Sequence, residues 1–267
     1  MNHSNITIIG GGNLGTAIAE GLIQSGFIKA SQITITKRNL STIQHLSDQG
    51  VTTLADNSIA VKNADYIVLA VKPFQLKDIL EEIKPSLIPT QHTIISVATG
   101  VWLKDLEDEL GKEFALFRAM PNTAISIQES MTCICANQKA AMQVDFVTTL
   151  FNQLGKSIII DEKLMDAATV LGACGTAYAL RYIRANIQGG IEIGFSAAQA
   201  SLIAAQTVKG AADLLLKKNT HPEQEIDKVT TPMGCTIAGL NEMEHQGFSS
   251  SLIRGLTSSY RKIKNEM

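Results

Sequence analysis

Charge is scarce in this chain and aromatic residues are scarcer: 18% of its 267 residues are Asp, Glu, Lys or Arg, and 5% are Phe, Trp or Tyr. The formal net charge is −2 and the cations are scattered. A nucleic-acid face or a polybasic membrane patch needs grouped Lys and Arg, so neither partner is expected. No apolar run reaches the roughly 18–20 residues that cross a bilayer. Met1–Asn5 is polar, and Ile6–Ile9 is far too short for the apolar core of a signal peptide. A soluble, cytoplasmic chain is the expectation. The four cysteines, Cys133, Cys135, Cys174 and Cys235, form no C-x-x-C pair, and the histidines show no H-x-x-x-H spacing. No metal is therefore expected. Cys133 and Cys135 would share one face of a strand, too constrained to bridge each other. Four buried free thiols in a reducing compartment are expected instead.

What is present in quantity is apolar: 45% of the residues, enough for a sizeable core. In the first half, short β-branched runs alternate with helical stretches. Ile6–Ile9, Ile33–Thr36, Ile67–Val71, Ile94–Val97 and Leu116–Arg118 read as buried strands. Leu14–Ser25, Leu40–Gln49, Phe74–Lys84 and Leu103–Leu110 read as helices between them. That alternation predicts a parallel sheet with right-handed crossovers. Thr132–Ala136 and Ser157–Ile160 read as closing strands, with a helix over Lys139–Leu154. Beyond Asp161 no convincing strand follows. Lys163–Ile193 is rich in Ala and Gly. Ser196–Lys218 opens on a Ser196–Gln199 capping box and closes on Lys217-Lys218-Asn219, as a helix dipole favours. Two further helices are expected, from about Met233 to His245 and from Ser249 to Lys264. The reading is α/β, with a Rossmann domain of mostly parallel sheet over residues 1–161 and an all-helical domain over 162–267.

Five stretches carry chemistry. Gly10-Gly-Gly-Asn13-Leu14-Gly15 follows a strand and opens a helix, the context a dinucleotide-binding turn requires. Gly10 permits the tight turn, Gly12 lets backbone approach a pyrophosphate, and Gly15 lets helix pack on strand. The second strand ends in Thr36-Lys37-Arg38-Asn39, where NAD-binding chains usually place an acid for the ribose 2′-hydroxyl. Two cations there suit a 2′-phosphate, so NADPH is expected, with NADH possible. Ala70-Val71-Lys72-Pro73 and Arg118-Ala-Met120-Pro-Asn122 each end a strand. Together with Val97-Ala98-Thr99 they are expected to converge where a nicotinamide ring would lie, outside the carboxyl ends of the strands. Ala98, Met120, Asn122 and Asn57 are accordingly expected cofactor contacts. The fifth stretch is Val229–Leu240. Here the backbone N–H groups of Gly234, Cys235 and Thr236 at a helix start would make a hole for a carboxylate, the alternative being a capped helix with no ligand.

Taken in order, Gly10–Gly15, Ala70–Pro73, Arg118–Asn122 and Thr231-Pro-Met-Gly-Cys-Thr-Ile-Ala-Gly239 resemble the pyrroline-5-carboxylate reductase family across essentially the whole chain. The last stretch is the most specific, since it resembles the family signature around a Pro-Gly-Gly-x-Thr core. The resemblance implies hydride transfer from NADPH to the imine carbon of 1-pyrroline-5-carboxylate, the last step of proline biosynthesis. It implies substrate carboxylate binding at Thr231, Cys235 and Thr236. It also implies an intertwined dimer, often built into a decamer, in which one subunit's helices complete the other's site. Gly172-Ala-Cys-Gly-Thr-Ala-Tyr178 departs from the family's Ser-Gly-Ser-Gly-Pro-Ala-Tyr, and Met233 replaces a signature glycine.

The chemistry asks little of side chains, because a cyclic imine is partly protonated near neutral pH and orientation supplies much of the catalysis. Thr236 is the expected catalytic hydroxyl, directed at the ring nitrogen. Tyr178 is a weaker proton-donor candidate, more naturally a packing residue. Two other readings stay open at this stage. One is a β-hydroxyacid-type dehydrogenase, for which Lys209 is the one candidate lysine in a helix interior. The other is a non-catalytic NADP-binding regulator.

Overall fold

The computed structural model describes residues 4–266; Met1–His3, part of the polar N-terminal stretch, lie outside them. The chain divides into a unit running to Cys174 and a unit of residues 175–265.

The first unit is built on eight strands: β1 (Ile6–Ile9), β2 (Ile33–Thr36), β3 (Thr52–Leu54), β4 (Tyr66–Leu69), β5 (Thr93–Ser96), β6 (Ala115–Met120), β7 (Ser130–Ala136) and β8 (Gly155–Ile159). They pair in the order β3-β2-β1-β4-β5-β6-β7-β8. All neighbours are parallel except β6 and β7, which face Arg118 to Cys135 in antiparallel register. The helices of this unit are α1 (Asn13–Gln24), α2 (Gln44–Asp48), α3 (Asn57–Ala60), α4 (Pro73–Ile83), α5 (Leu103–Leu110), α6 (Val144–Asn152) and α7 (Met165–Ala168).

Strand alternation divides the core in two. Ile6 and Ile8 point with Ile33 and Ile35 to one face, where Ile18 and Leu22 of α1 and Val147, Leu150 and Phe151 of α6 cover them. Ile9, Ile67 and Leu69 point to the other, under Leu76, Leu80 and Ile83 of α4 and Leu103, Leu106 and Leu110 of α5. A sheet covered on both faces reads as near-continuous Ile/Val/Leu runs, which is why these strands were legible. The order reverses at β1, with β2 on one side and β4 on the other. This is the switch point where open α/β sheets bind ligands.

Some elements differ from the sequence expectation. The stretch expected as one helix over Leu40–Gln49 is a 3-10 turn, Leu40–Ile43, followed by the short α2. Asn39 accepts from both the Ser41 N–H and the Ser41 hydroxyl, and the Thr42 hydroxyl donates to the Asn39 carbonyl. Such local bonds compete with the helical ladder. Likewise the helix expected from Lys139 begins as a 3-10 run, Gln138–Gln143, before α6. The Ala/Gly-rich stretch contains a π-helical turn, Thr169–Cys174, over part of the departure at Gly172–Cys174. The thiols are all free, but they are not all buried. Cys135 is buried and its pKa is pushed up to about 12 by desolvation, whereas Cys133 and Cys174 are partly exposed and Cys235 is exposed.

His92, buried just before β5, accepts the Ile88 N–H at Nδ1 over 2.8 Å. Burial lowers its pKa, opposed by the Val61 carbonyl and the charge of Asp65. The native state therefore binds a proton at His92 less readily than the unfolded chain, whose imidazole titrates near roughly 6.5. The resulting stability is complete above that value and declines as pH falls below it. Thermal melts of wild type and His92→Asn, whose amide oxygen can take the Ile88 N–H, should show a shallower decline between about pH 6.5 and 5 in the variant. Equal slopes would exclude His92 as the titrating group.

The second unit holds α8 (Gly175–Glu192), α9 (Ala197–Lys218), α10 (Pro222–Val229), α11 (Cys235–His245) and α12 (Phe248–Glu266). The capping box of α9 is present: the Gln199 N–H donates to Ser196 Oγ, and the Ser196 N–H donates to Gln199 Oε1 at 3.2 Å. Asn219 ends the helix in the left-handed conformation that a C-cap favours. α8 and α9 approach through small residues, since a Cβ on Gly190 would lie 3.0 Å from that of Ala200. Among the described residues of this unit, only Ala200 and Ala204 are buried, while Leu180, Ile193, Leu202, Leu216 and Ile253 are exposed. Five helices carrying that much uncovered apolar surface do not make a core of their own.

Candidate functional site

The carboxyl ends of β1, β2, β3, β4 and β5 open into one cavity of about 800 Å³. Gly10 to Leu14 form its floor at the start of α1. The turn is fixed from beneath: the Gly11 N–H donates to the Thr36 carbonyl at 2.7 Å, and the Gly10 N–H reaches the Thr36 hydroxyl at 3.3 Å. Thr36 thus serves the turn as much as the cavity. Gly10 has a φ of +107°, and a Cβ there would run into the Ala70 carbonyl. A Cβ on Gly15 would run into the Gly10 carbonyl. Gly12 is different. A Cβ there meets no protein atom within 4 Å and would project into open space. Gly12 is also the N-cap of α1 and offers no side-chain cap, so the first N–H groups of the helix are left for a ligand. A cradle that a single methyl group would obstruct, at a helix N-terminus, fits a pyrophosphate.

The walls carry one sign of charge. Lys37, Arg38 and Lys72 line the cavity and, among the described residues, no acidic side chain does. Lys37 lies across the turn, its Cβ and Cδ each 3.3 Å from where a Gly11 Cβ would sit. Asn57 lines the opposite wall, its amide donating to Glu82 at 2.9 Å. Ala70, Val71, Lys72 and Pro73 pass along the β4 end, and Val97, Ala98 and Thr99 along the β5 end. Most of the residues expected from sequence to contact a cofactor are thus brought together. Ala55, Gln75 and Ile79 also line the cavity and were not anticipated. Gln75 carried a signal, since it lies three residues after Lys72 at the start of a helix, and its side chain accepts the Lys72 N–H at 3.3 Å.

Arg118–Asn122 does not line this cavity, although Met120 touches the wall residue Thr99. Gly15 lies beneath the turn and, like Met120 and Asn122, is absent from the lining. Met120 is buried and receives the Thr99 hydroxyl at its sulfur. Asn122 caps a 3-10 turn through the Ala124 N–H and donates to the Gly172 carbonyl at 3.2 Å. Arg118 is 2% exposed and paired with Glu162 at 2.9 Å. Strand β6 runs on to Met120, two residues past its expected end, which keeps the Arg118 and Met120 side chains inside the sheet.

In the second unit, the Thr231–Thr236 loop runs into α11 as expected, with Gly234 as N-cap. The Gly234 N–H is already engaged with the Thr231 carbonyl at 3.0 Å. The donors at the helix start are therefore those of Cys235 and Thr236, and the expected three-donor hole has two. A Cβ on Gly234 would lie 2.5 Å from Thr231 Oγ1 and 3.1 Å from the Thr231 carbonyl, so a larger residue there would displace the Thr231 side chain. Met233, at a position where the resembling family has glycine, adopts a φ of +60° with its side chain fully exposed. Tyr178 shares a 2.6 Å hydrogen bond with Ser259. Lys209 pairs with Asp213 at 2.8 Å on an exposed face of α9.

Comparison with known proteins gives two family matches. Residues 162–266 match the family model for pyrroline-5-carboxylate reductase dimerisation, and residues 5–100 match that described as NADP oxidoreductase, coenzyme F420-dependent. Pyrroline-5-carboxylate reductase 1 of Dictyostelium discoideum is 48% identical over 98% of this chain, which spans half the length of that relative. Pyrroline-5-carboxylate reductase 2 of the same organism is 45% identical over 98% of this chain and 92% of its own. The crystal structure of a Plasmodium falciparum pyrroline carboxylate reductase with NADP bound is 27% identical, covers 99% of this chain and 98% of its own, and superposes with a TM-score of 0.88. By its motifs, its fold and its near-complete alignment with these proteins, the chain belongs to the pyrroline-5-carboxylate reductase family.

Proposed function

We propose that this protein reduces 1-pyrroline-5-carboxylate to L-proline with NADPH, the last step of proline biosynthesis. The observation that carries the reading is the cationic cavity whose floor is a glycine turn with no Cβ at Gly12. NADPH, when bound, supplies the hydride for the imine carbon. The chain's own residues bind and orient. Lys37 and Arg38 attract the 2′-phosphate, the α1 N-terminus takes the pyrophosphate, and Val97–Thr99 flank the nicotinamide end. In the second unit, the N–H groups of Cys235 and Thr236 take the substrate carboxylate, with Thr231 beside them. The Thr236 hydroxyl holds the ring nitrogen, which keeps the proton it gained as an iminium, so that hydride at carbon completes the amine. Gly12, Gly234 and the small residues of α8 and α9 are positions where backbone, not side chain, does the binding or packing. The proposed division of roles is residues 1–161 for cofactor and 162–267 for substrate and self-association, although by packing residues 162–174 belong with the first unit.

Self-association is part of the reading, because the helical unit leaves its apolar residues uncovered. A second copy of the chain covers them in a dimer, and dimers assemble into the decamer that the resemblance implies. Sedimentation should return a multiple of the 28.7 kDa chain mass, and a monomer at micromolar concentration would exclude this. A cytoplasmic location agrees with four free thiols.

The test of the activity is NADPH oxidation with 1-pyrroline-5-carboxylate against a panel of hydroxy acids with NADP⁺. Turnover with the imine alone is expected. Turnover with a hydroxy acid, or tight NADPH binding with no turnover, would replace this reading by a dehydrogenase or a regulator. Within that assay Thr236→Ala should lower kcat by about ten- to a hundredfold, or roughly 1.4–2.7 kcal/mol of transition-state stabilisation. An unchanged rate would remove Thr236 from the mechanism.

A further inference from the structure

The β5–α5 segment forms one wall of the cavity at Val97, Ala98 and Thr99, then turns through Gly100 and Val101 to Trp102, the N-cap of α5. It is tied down at its far end by a residue distant in sequence. Glu162 Oε1 accepts the Leu103 N–H at 2.6 Å and the Arg118 guanidinium, through Nη1, at 2.9 Å. Arg118 lies beside Ser96 in the β5–β6 register, and its guanidinium carbon stands 5.1 Å from the centre of the Trp102 ring. The Thr99 hydroxyl meets Met120 two residues further along the same strand. Strand β6 thus grips the segment at Thr99 and Trp102, and Glu162 closes the grip at Leu103. Arg118 is 2% exposed and Glu162 about a quarter exposed. A buried ion pair gains little net stability over apolar residues of the same size, because desolvating both charges offsets their attraction. What it does supply is a fixed geometry, and here the geometry fixed is that of the cavity wall.

We propose that Glu162 and Arg118 are positioning residues for the reduction: through Leu103 and Trp102 they hold the Val97–Thr99 wall at the distance that the nicotinamide ring requires. This rests on the cofactor reading above. Neither side chain lines the cavity, so neither is expected to contribute to the adenine or phosphate contacts. Loosening the pair should spoil alignment for hydride transfer while leaving affinity for the dinucleotide nearly intact, since misplacement of about 1 Å costs on the order of a hundredfold in rate.

The sequence provides its own reporter, because Trp102 is the single tryptophan of the chain. NADPH added to the full-length wild type should quench Trp102 emission by resonance transfer, and the titration gives Kd without turnover. Glu162→Gln keeps an acceptor oxygen for Leu103 and removes the charge facing Arg118. It should leave Kd for NADPH within about threefold, lower the anisotropy of Trp102, and lower kcat by about ten- to a hundredfold. The deuterium isotope effect from 4-deuterated NADPH should rise as hydride transfer becomes rate-limiting. Glu162→Asp, which retains the charge, should recover part of kcat. If Glu162→Gln fails to fold, Arg118→Lys carries the same measurements. A folded variant with wild-type kcat overturns the proposal, as does a fall in kcat matched by an equal loss of NADPH affinity or with Trp102 anisotropy unchanged. Wild-type protein whose emission is untouched by NADPH overturns the cofactor reading and this proposal with it, and that result is seen before any variant is made.

Discussion

Replacing Gly12 with valine should lower kcat/KM for NADPH by at least about a hundredfold and leave the fold intact. The backbone at Gly12, with φ of −81° and ψ of −171°, is extended and suits valine. A Cβ there meets no atom of the surrounding structure within 4 Å, so the first carbon of the new side chain is accommodated and the turn is expected to hold. The stability cost is that of a poorer N-cap, typically about 1 kcal/mol, or a melting temperature lower by about 2–4 °C. The ligand fares differently. The isopropyl group occupies the approach to the α1 N–H groups, and losing two hydrogen bonds to a charged pyrophosphate, at roughly 1.5–3 kcal/mol each, removes 3 kcal/mol or more. That is a factor of a hundred or greater. Gly15→Val is the control. Its side chain would strike the Gly10 carbonyl, so it should fail by losing the turn itself, with a large drop in melting temperature. Steady-state kinetics and thermal melts of the two variants separate exclusion of a ligand from collapse of a loop. Wild-type kcat/KM in Gly12→Val would place the pyrophosphate elsewhere.

The glycine turn was legible because each requirement acts within a few residues of sequence. The same is true of the buried strands, whose β-branched runs state their burial directly. Elements that depend on distant partners were not legible. Strand β3 is Thr-Thr-Leu at the sheet edge, with Thr52 exposed. Three residues without alternation cannot be told from a loop. Helix α10 is Pro-Glu-Gln-Glu-Ile-Asp-Lys-Val with no buried residue, so no apolar period marks it. Its one signal was His221 followed by Pro222, a cap and a first-turn proline, with the Glu223 N–H donating to His221 Nδ1 at 3.3 Å. The burial of Arg118 was not legible for the same reason. A strand end with an arginine looks like a site rim. Burial of its guanidinium depends on Glu162, 44 residues later, at the start of the domain expected from sequence to be a separate one. At the Thr231–Thr236 loop, sequence located the helix start. The engagement of the Gly234 N–H by Thr231, however, is a matter of backbone geometry that residue types do not state.

Replacing Lys37 and Arg38 together with alanine should raise KM for NADPH about 30- to 150-fold and leave KM for NADH within about threefold. Both side chains line the cavity beyond the end of β2, and among the described residues no acidic side chain lines it with them. Arg38 is exposed and Lys37 partly buried, so each charge-assisted bond to a 2′-phosphate is discounted by solvent to about 1–1.5 kcal/mol. Their sum of 2–3 kcal/mol gives the stated range. The two residues should not contribute alike. Lys37 packs across Gly11, so Lys37→Ala also loosens the turn that holds the pyrophosphate and should cost NADH a little. Arg38→Ala touches the 2′-phosphate alone and should act on NADPH only. Because exposed charges are screened over a Debye length of roughly 10 Å at 0.1 M salt, the preference of the wild type for NADPH should shrink as ionic strength rises, while that of the double variant stays flat. Equal losses for the two cofactors would move both cations from the 2′-phosphate to the pyrophosphate. The absence of an acid after β2 would then have no bearing on which dinucleotide the chain selects.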